Sequence, residues 1–255
     1  MVLTIDELHH VETEMLAAIM QITEEMNLPV FAAYGTVLGA IRHNGPIPWD
    51  PDADTVVPLS DFADVCKILS ERLPDKFHVR CYYTDNDQKI LYAKVGLSGY
   101  ADDRLHVDIF PLIPAPDGKI QRYWYHFITV SLKWIHWNKM HKLSRRNLLG
   151  MLCCKIVPLP QSIIRSIYYR WINRYVRKNT EYFFVSHGTY SNTRVFFKRK
   201  HYQDGQFVVY DGIKIKIPND YDEYLRLQYG DYMKYPPENE RSAYLRATFI
   251  INELK

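Results

Sequence analysis

Hydrophobic residues recur at helical spacing near the start of the chain. The set consists of Leu8, Val11, Met15, Ile19 and Ile22. Thr4 and Glu7 form a capping-box pair ahead of it, because the Thr hydroxyl and the Glu carboxylate can each accept a backbone N–H of the first turn. A helix should therefore run from this pair to about Asn27.

Extended runs then alternate with shorter helices. A short strand over Val30 to Ala33 should precede a short helix, Val37 to His43, and a loop. Four longer runs predict strands: Asp52–Leu59, Val79–Tyr83, Ile90–Leu97 and Leu105–Leu112. Ser60 should cap the helix that follows the first of them, which has a buried stripe from Phe62 onward. Helices covering a mixed sheet predict an α/β (α+β) fold.

The segment 118–180 differs from the sequence before it. It contains thirteen Lys or Arg residues and no Asp or Glu, with aromatic and aliphatic residues between the bases. Pro158 and Pro160 divide it into two halves of helical pattern. We predict an all-helical insert between a core segment, 1–117, and a C-terminal segment, 181–255, that completes the core.

The C-terminal segment contains the sequence pattern of a β-hairpin. Phe207–Tyr210 and Ile213–Ile217 flank Asp211-Gly212, a dipeptide typical of a two-residue hairpin turn. Pro218 to Asp220 should start a helix that Gly230 ends, because glycine readily adopts the left-handed conformation found just after helices.

Composition places the chain among ordered proteins. Its 255 residues are 47% hydrophobic and 24% charged, which is enough to bury a full core, and the net charge of +3 does not by itself indicate nucleic acid. Its four cysteines show no metal-finger spacing, and the adjacent Cys153 and Cys154 in an apolar stretch are typical of small hydrophobic residues in a reducing compartment. The N-terminus lacks the pattern of a secretion signal, and no window reaches roughly 18 uninterrupted apolar residues. We expect a cytoplasmic protein.

Acidic residues cluster where a strand should begin. Asp52 and Asp54 are two positions apart, so strand alternation places both side chains on one face. Two carboxylates so close repel each other unless a cation lies between them, and oxygen ligands favour Mg²⁺ or Mn²⁺. Asp50 has the same parity but precedes Pro51, in a loop, and is a weaker candidate. The alternative is that these acids only solvate a turn.

Asp108 is the third acidic candidate. It interrupts Leu105–Phe110, a run that otherwise resembles a buried strand, and a buried carboxylate is costly unless it is paired or binds a metal. Sheet pairing could bring it beside Asp52 and Asp54. The alternative is a structural ion pair with Arg104 or His106.

Gly35 and Thr36 lie where a strand passes into a helix. Free N–H groups at a helix N-terminus bind phosphate oxygens, and glycine lets the ligand approach closely. A Gly-Thr pair, a helix, Asp-x-Asp on a strand and a later strand Asp form the layout of a nucleotidyltransferase palm, whose chemistry is attack on phosphorus assisted by metal ions.

Three motifs resemble those of the LicD family, bacterial phosphocholine transferases related to fukutin and fukutin-related protein. The first is Tyr34-Gly35-Thr36-Val37-Leu38-Gly39-Ala40-Ile41-Arg42-His43 with Ile47-Pro48-Trp49-Asp50-Pro51-Asp52-Ala53-Asp54. The second is Val107 to Leu112, and the third is Ile217-Pro218 with Tyr229-Gly230-Asp231-Tyr232-Met233 and Pro236-Pro237. They follow the family order from about residue 31 to 241.

This resemblance implies a nucleotidyltransferase-type fold and a phospho-alcohol transfer. The donor would be CDP-linked, with CDP-choline favoured, the acceptor a sugar hydroxyl of a glycan or lipid-linked oligosaccharide, and the product CMP. Asp52 and Asp54 would ligate Mg²⁺ or Mn²⁺, and Asp108 would complete the metal shell or accept the proton of the attacking hydroxyl.

Further residues would contact the substrate by the same resemblance. Gly35 and Thr36 would hold phosphate oxygens, and Arg42 and Lys94 are further phosphate contacts unless they are only surface charges. Tyr229, in the third motif, would also face substrate.

Two positions depart from the family pattern. Tyr34 stands where family members often have a second glycine, and Pro51 replaces a frequent acid. Neither change removes an expected metal ligand, although Tyr34 could narrow the donor pocket and so bears on donor identity.

The basic segment 118–180 is open to three interpretations. In the first, the bases among Trp and Tyr residues bind the anionic inner face of a membrane, so that the protein is peripheral. A lipid-linked acceptor fits this interpretation. The same bases also suit a helical cap that binds the acceptor. Binding of single-stranded RNA is the third, but no recognisable module is present and nucleic acid is not expected.

Two other functions compete with phospho-alcohol transfer. The protein could attach a nucleotide from an NTP to an acceptor, which would release pyrophosphate instead of CMP. It could also be a non-catalytic relative that binds glycan or membrane, although a costly acid set argues against that function.

Overall fold

The computed structural model describes residues 4–83, 91–99, 105–138, 160–186 and 195–241. Its α-helices are α1 (Ile5–Glu25), α2 (Tyr34–His43), α3 (Phe62–Arg72), α4 (Lys119–Asn138), α5 (Gln161–Ile172) and α6 (Tyr221–Tyr229). Its strands are β1 (Phe31–Ala32), β2 (Ala53–Pro58), β3 (Phe77–Cys81), β4 (Ala93–Leu97), β5 (His106–Ala115), β6 (Tyr182–Phe184), β7 (Phe196–Lys198), β8 (Gln206–Tyr210) and β9 (Ile213–Ile217). Short 3₁₀ turns cover Asn173–Tyr175 and Arg199–Tyr202.

The long strand β5 organises the main sheet. Its first half lies between β2, which runs parallel to it, and β4, which runs antiparallel, and its second half pairs with β6. The strand order is β1-β2-β5-β4-β3, with β6 and β7 continuing from β5. The parallel register sets Ala53 beside Val107 and Pro58 beside Leu112. Residues of β2 and β5 are therefore direct neighbours in the sheet, although the two strands are distant in sequence.

Helix α1 covers this sheet as its apolar spacing predicts. It packs against β5, β9 and α3, and Met15, Leu16 and Ile19 are fully buried. The capping box is confirmed: the Glu7 N–H donates to the Thr4 hydroxyl, and the Glu7 carboxylate accepts from the Thr4 N–H.

Helix α2 begins in an unusual backbone conformation. Tyr34 has φ +47°, in the left-handed region that favours glycine. Its N–H donates to the Tyr224 hydroxyl of α6 at 2.9 Å, and its buried ring meets the rings of Phe110 and Phe197 edge-on. These contacts offset a strain of about 1–3 kcal/mol.

One buried hydrogen bond joins α2 to β2. The Thr36 hydroxyl accepts the Asp54 N–H at 2.7 Å, and Thr36 is 2% exposed. This N–H belongs to Asp54, a candidate metal ligand. The bond therefore fixes the backbone from which the Asp54 side chain projects.

The helices of the basic segment pack through polar aromatic groups. The Tyr125 hydroxyl of α4 donates to the carbonyls of Trp171 and Ile172 on α5, at 3.0 and 3.1 Å. The Trp171 Nε1–H donates in turn to the Thr129 hydroxyl at 3.0 Å.

The C-terminal segment contacts the core at several points. Strand β6 pairs with β5, and α6 packs against α2. The hairpin of β8 and β9 is confirmed, with Asp211 and Gly212 at φ +47° and +80°, and Gly230 ends α6 at φ +70° as expected.

The mixed α/β fold is confirmed, and some local predictions need correction: the helix predicted over Val37 to His43 already begins at Tyr34, and two further cases follow. Ser60 does not cap α3: Asp61 is the N-cap residue, and the Ser60 hydroxyl instead donates to the Asp61 carboxylate at 2.6 Å. The strand predicted over Val79–Tyr83 runs from Phe77 to Cys81, because pairing with β4 begins earlier, at Leu97.

The remaining sequence predictions meet the described residues only in part. The segment 118–180 is helical over α4 and α5, while residues 139–159, with Pro158, lie outside the described residues. The three-segment division stays a prediction. Among the described helices, none combines the length and the apolar character needed to cross a bilayer.

We predict that Thr36→Val destabilises the protein by about 1–3 kcal/mol, because it leaves the buried Asp54 N–H without an acceptor. Thr36→Ser keeps the hydroxyl and should lose clearly less. Urea unfolding of both variants measures the difference. Equal loss in the two variants would mean that the Thr36 methyl group, and not its hydroxyl, stabilises this junction.

Candidate active site

Two of the candidate acids lie side by side where β2 pairs with β5. Asp54 and Asp108 are direct register partners on the two parallel strands, and Lys94 of β4 is the partner of Asp108 on its other side. Three charged residues from three strands therefore stand in one row across the sheet. Sequence alone predicted each of these residues, and the pairing brings them together.

The loop before β2 carries the other acids. Asp52 lies one residue before the strand and is exposed, while Asp50 is half-buried. The backbone carbonyl of Asp50 lies 2.7 Å from Nε2 of His9 on α1, which ties the loop to that helix. A Cβ at Gly35 would lie 2.4 Å from Oδ2 of Asp50, so only glycine lets this carboxylate approach α2 so closely.

The Gly35-Thr36 pair supports the acids from α2. The Thr36 N–H donates to the Ala33 carbonyl at 3.0 Å, while its hydroxyl accepts from Asp54. Gly35 lines the adjoining cleft and Thr36 lies behind it. Phosphate binding by these two residues stays a prediction, and in the protein itself Thr36 positions Asp54.

Mutual repulsion dominates the electrostatics of this region. Burial raises the pKa of Asp54 well above its ordinary value, and the negative charges of Asp52, Asp108 and Asp50 raise it further. Burial likewise raises the pKa of Asp50, as do the charge of Asp52 and a hydrogen bond between the two carboxyl groups. Carboxylates in this arrangement require either protons or a cation.

A fifth carboxyl group, which sequence reasoning missed, belongs to the same region. Glu12 of α1 is buried, and its pKa is raised by burial and then by the charges of Asp52, Asp50, Asp54 and Asp108. At helical spacing Glu12 falls between the apolar positions Leu8 and Met15, so its inward position could have been suspected from the pattern alone.

Asp108 has two basic neighbours, His106 and Lys94, yet one of its carboxylate oxygens accepts no hydrogen bond from them. Its Oδ1 lies 3.3 Å from Nε2 of His106 and 3.9 Å from Nζ of Lys94. The same two nitrogens lie 3.0 Å apart, so Nε2 of His106 can accept from Lys94 and then has no proton for Asp108. The Asp108 Oδ1 is accordingly buried without a hydrogen-bond partner among the described residues. The expected contact with His106 is present, and Arg104 lies outside the described residues.

A cleft of about 520 Å³ opens beside the acids. Asp50, Asp52 and Asp54 line it together with Arg42 and Tyr229. Asp108 and Lys94 are not among its lining residues and lie deeper in the sheet. The structure thus brings Arg42 and Tyr229 to the open side of the site and Lys94 to its back.

Arg42 is held on an aromatic wall of the cleft. Its guanidinium carbon lies 4.9 Å from the ring centre of Tyr235 and 5.9 Å from that of Trp49, and its Nη1 donates to the Tyr232 carbonyl at 2.7 Å. Arg241 lies against Trp49 from another direction, at 5.2 Å. Guanidinium groups fixed in this way can bind an anion that enters the cleft. Sequence reasoning missed the wall, because it forms only when the segment after α6 meets α2.

The donor set fits a hard divalent cation. Asp52, Asp54 and Asp108 offer only oxygen atoms, the ligands that Mg²⁺ and Mn²⁺ prefer. The unpartnered Oδ1 of Asp108 and the crowding of negative charge are both relieved by such an ion. With Arg42 at the cleft wall, the arrangement can hold a diphosphate between a cation and a base.

The chain resembles known proteins over much of its length. A family model described as LicD/FKTN/FKRP, nucleotidyltransferase domain, matches residues 27–154, about half of the chain. The chain is also similar to lipopolysaccharide cholinephosphotransferase LicD of Haemophilus influenzae, with 24% identity over 240 residues that cover 81% of this chain and 83% of that protein. The matched region contains the cleft's Asp-x-Asp and Asp108. This chain belongs to the LicD/FKTN/FKRP nucleotidyltransferase domain family.

Proposed function

We propose that this protein transfers a phospho-alcohol, most favourably phosphocholine, from a CDP-linked donor to a sugar hydroxyl, with release of CMP. The acceptor is a cell-surface glycan or its lipid-linked precursor. The observation that carries the proposal is the convergence of Asp52, Asp54 and Asp108 beside a cleft that also holds Arg42. The similarity to a lipopolysaccharide cholinephosphotransferase supports phosphocholine as the transferred group.

The proposed reaction is a single displacement at phosphorus. The acceptor oxygen bonds to the phosphorus that carries the alcohol, and the bond from that phosphorus to the bridging oxygen breaks. The bridging oxygen leaves with CMP, and the proton of the hydroxyl goes to a base or to solvent. A bound Mg²⁺ or Mn²⁺ supplies charge neutralisation of the diphosphate and of the leaving oxygen.

The residues of the cleft have separate roles in this proposal. Asp52 and Asp54 hold the cation from the cleft side, while Asp108 offers its unpartnered oxygen from the sheet. Because Asp108 does not line the cleft, it is better placed to complete the cation site than to take a proton from the acceptor. Arg42 orients the donor phosphates, and Lys94, whose Nζ lies 3.9 Å from that Asp108 oxygen without a hydrogen bond, offsets part of the negative charge.

We predict CMP release from CDP-choline that requires Mn²⁺ or Mg²⁺ and exceeds release from CDP-glycerol and CDP-ribitol. Incubation of each donor with and without metal, followed by chromatography of the nucleotides, makes the measurement. Cleavage of a different CDP-alcohol would keep the reaction and change the head group. Pyrophosphate from CTP or UTP with no CMP from any CDP-alcohol would replace the proposal with nucleotidyl transfer.

In the same assay we expect Asp52→Asn and Asp54→Asn to lower turnover by about a hundredfold or more, because each removes a charged cation ligand. Both variants should remain folded, since each change relieves repulsion among the acids. Asp64→Asn, at an exposed position of α3, is the matched control and should retain activity. Wild-type turnover in either site variant would contradict the cation assignment.

We also propose that the helical segment contacts the cytoplasmic face of a membrane peripherally. Ile120, Trp124 and Phe127 follow one another at helical spacing on α4 and are 74%, 61% and 62% exposed. The segment 118–180 that contains them is rich in bases and has no acid, so its charge complements an anionic bilayer surface. Aromatic side chains beside bases are typical of interfacial helices.

We predict that Trp124→Ala with Phe127→Ala weakens binding to vesicles of phosphatidylglycerol and phosphatidylcholine by about tenfold or more, since two large apolar groups no longer insert. Phe207→Ala with Val209→Ala, which removes exposed apolar groups from the β8–β9 hairpin, is the control and should bind as wild type does. Cosedimentation measures both. Absence of vesicle binding by the wild-type protein would favour an acceptor-binding cap instead.

A further inference from the structure

Glu12 is a buried acid in the middle of α1. It is 4% exposed, and its Oε1 is buried without a hydrogen-bond partner among the described residues. Leaving a carboxylate oxygen buried and unpartnered is costly, so a protein keeps such a group only where something compensates it. Packing alone would be served better by Leu or Met.

The surroundings of Glu12 are acidic. Burial and the charges of Asp52, Asp50, Asp54 and Asp108 all disfavour an ionised Glu12 and raise its pKa. The helix also meets the loop before β2, because His9, one turn earlier, contacts the Asp50 carbonyl at 2.7 Å. Glu12 is therefore buried on a helix that is tied to the loop carrying Asp50 and Asp52.

An ordinary structural role does not account for Glu12. In the described part of the chain it forms no ion pair with a Lys, Arg or His side chain. Glu14, two residues later on the same helix, shows the usual arrangement: it is exposed and lies 2.7 Å from Nζ of Lys76. The two glutamates therefore offer a matched comparison.

We propose that Glu12 is a further carboxylate of the divalent-cation site, contributed by α1, and that it raises the affinity of the site for the ion. This inference rests on the cation-dependent function proposed above. One buried negative charge more makes the site less stable when it holds no cation and more attractive to Mg²⁺ or Mn²⁺. A residue that lowers stability without the cation and also raises the affinity for it belongs to the cation site, whereas a merely structural residue would not show both effects.

The test compares Glu12→Gln with Glu14→Gln by calorimetric titration with Mn²⁺ and by thermal unfolding in EDTA. Glu12→Gln should weaken Mn²⁺ binding by about 10–100-fold, the range found when groups that support a metal site are removed. In EDTA it should unfold at the same temperature as the wild type or higher, because repulsion is relieved. Glu14→Gln should leave Mn²⁺ binding unchanged.

Each other result has a definite meaning. Unchanged Mn²⁺ affinity in Glu12→Gln, with normal binding by the wild type, would overturn the role of Glu12 and leave the proposed function standing. A Glu12→Gln protein less stable than the wild type in EDTA would show that Glu12 is structural. If the wild type itself binds no Mn²⁺, both this inference and the metal-dependent function fail.

Discussion

Repulsion among carboxylates is the constraint on which the rest of this structure depends. Asp54 and Asp108 lie side by side where β2 pairs with β5, and the charges of Asp50, Asp52, Asp54 and Asp108 act together on the buried Glu12 of α1. Burial strengthens every one of these interactions, because the interior screens charge less than water does. Selection for stability alone would remove such a centre. The divalent cation and the diphosphate donor that we propose would give a reason to keep it.

Neighbouring elements hold the acids in place against this repulsion. The parallel pairing of β2 with β5 sets the level of Asp54 and Asp108, and the Thr36 hydroxyl fixes the backbone at Asp54. Gly35 lets the Asp50 carboxylate lie against α2. Tyr34 keeps a left-handed backbone that favours glycine, and its hydrogen bond to Tyr224 and its ring contacts hold it there.

Local patterns predicted the parts of the site that lie on single elements. Asp52 and Asp54 could be found from their Asp-x-Asp spacing at the start of a predicted strand, although Asp52 lies just before β2, and Asp108 from its cost within an apolar run. The row that Asp54 and Asp108 form depends on strand register, which no local pattern specifies. Glu12 was missed because an acid within a helix is usually solvent-exposed, as Glu14 is, although its helical spacing with Leu8 and Met15 indicated an inward position. The aromatic wall around Arg42 required contact between distant segments.

The most direct test of this account is the position of a bound ion. Crystals of the protein soaked with Mn²⁺ and a CDP-alcohol, measured at a wavelength where manganese scatters anomalously, locate the metal without assumptions about catalysis. The account predicts one strong anomalous peak coordinated by oxygen atoms of Asp52 and Asp54, on the side of the cleft that faces Asp108 and Glu12. A peak elsewhere, or none at these carboxylates at saturating Mn²⁺, would contradict it.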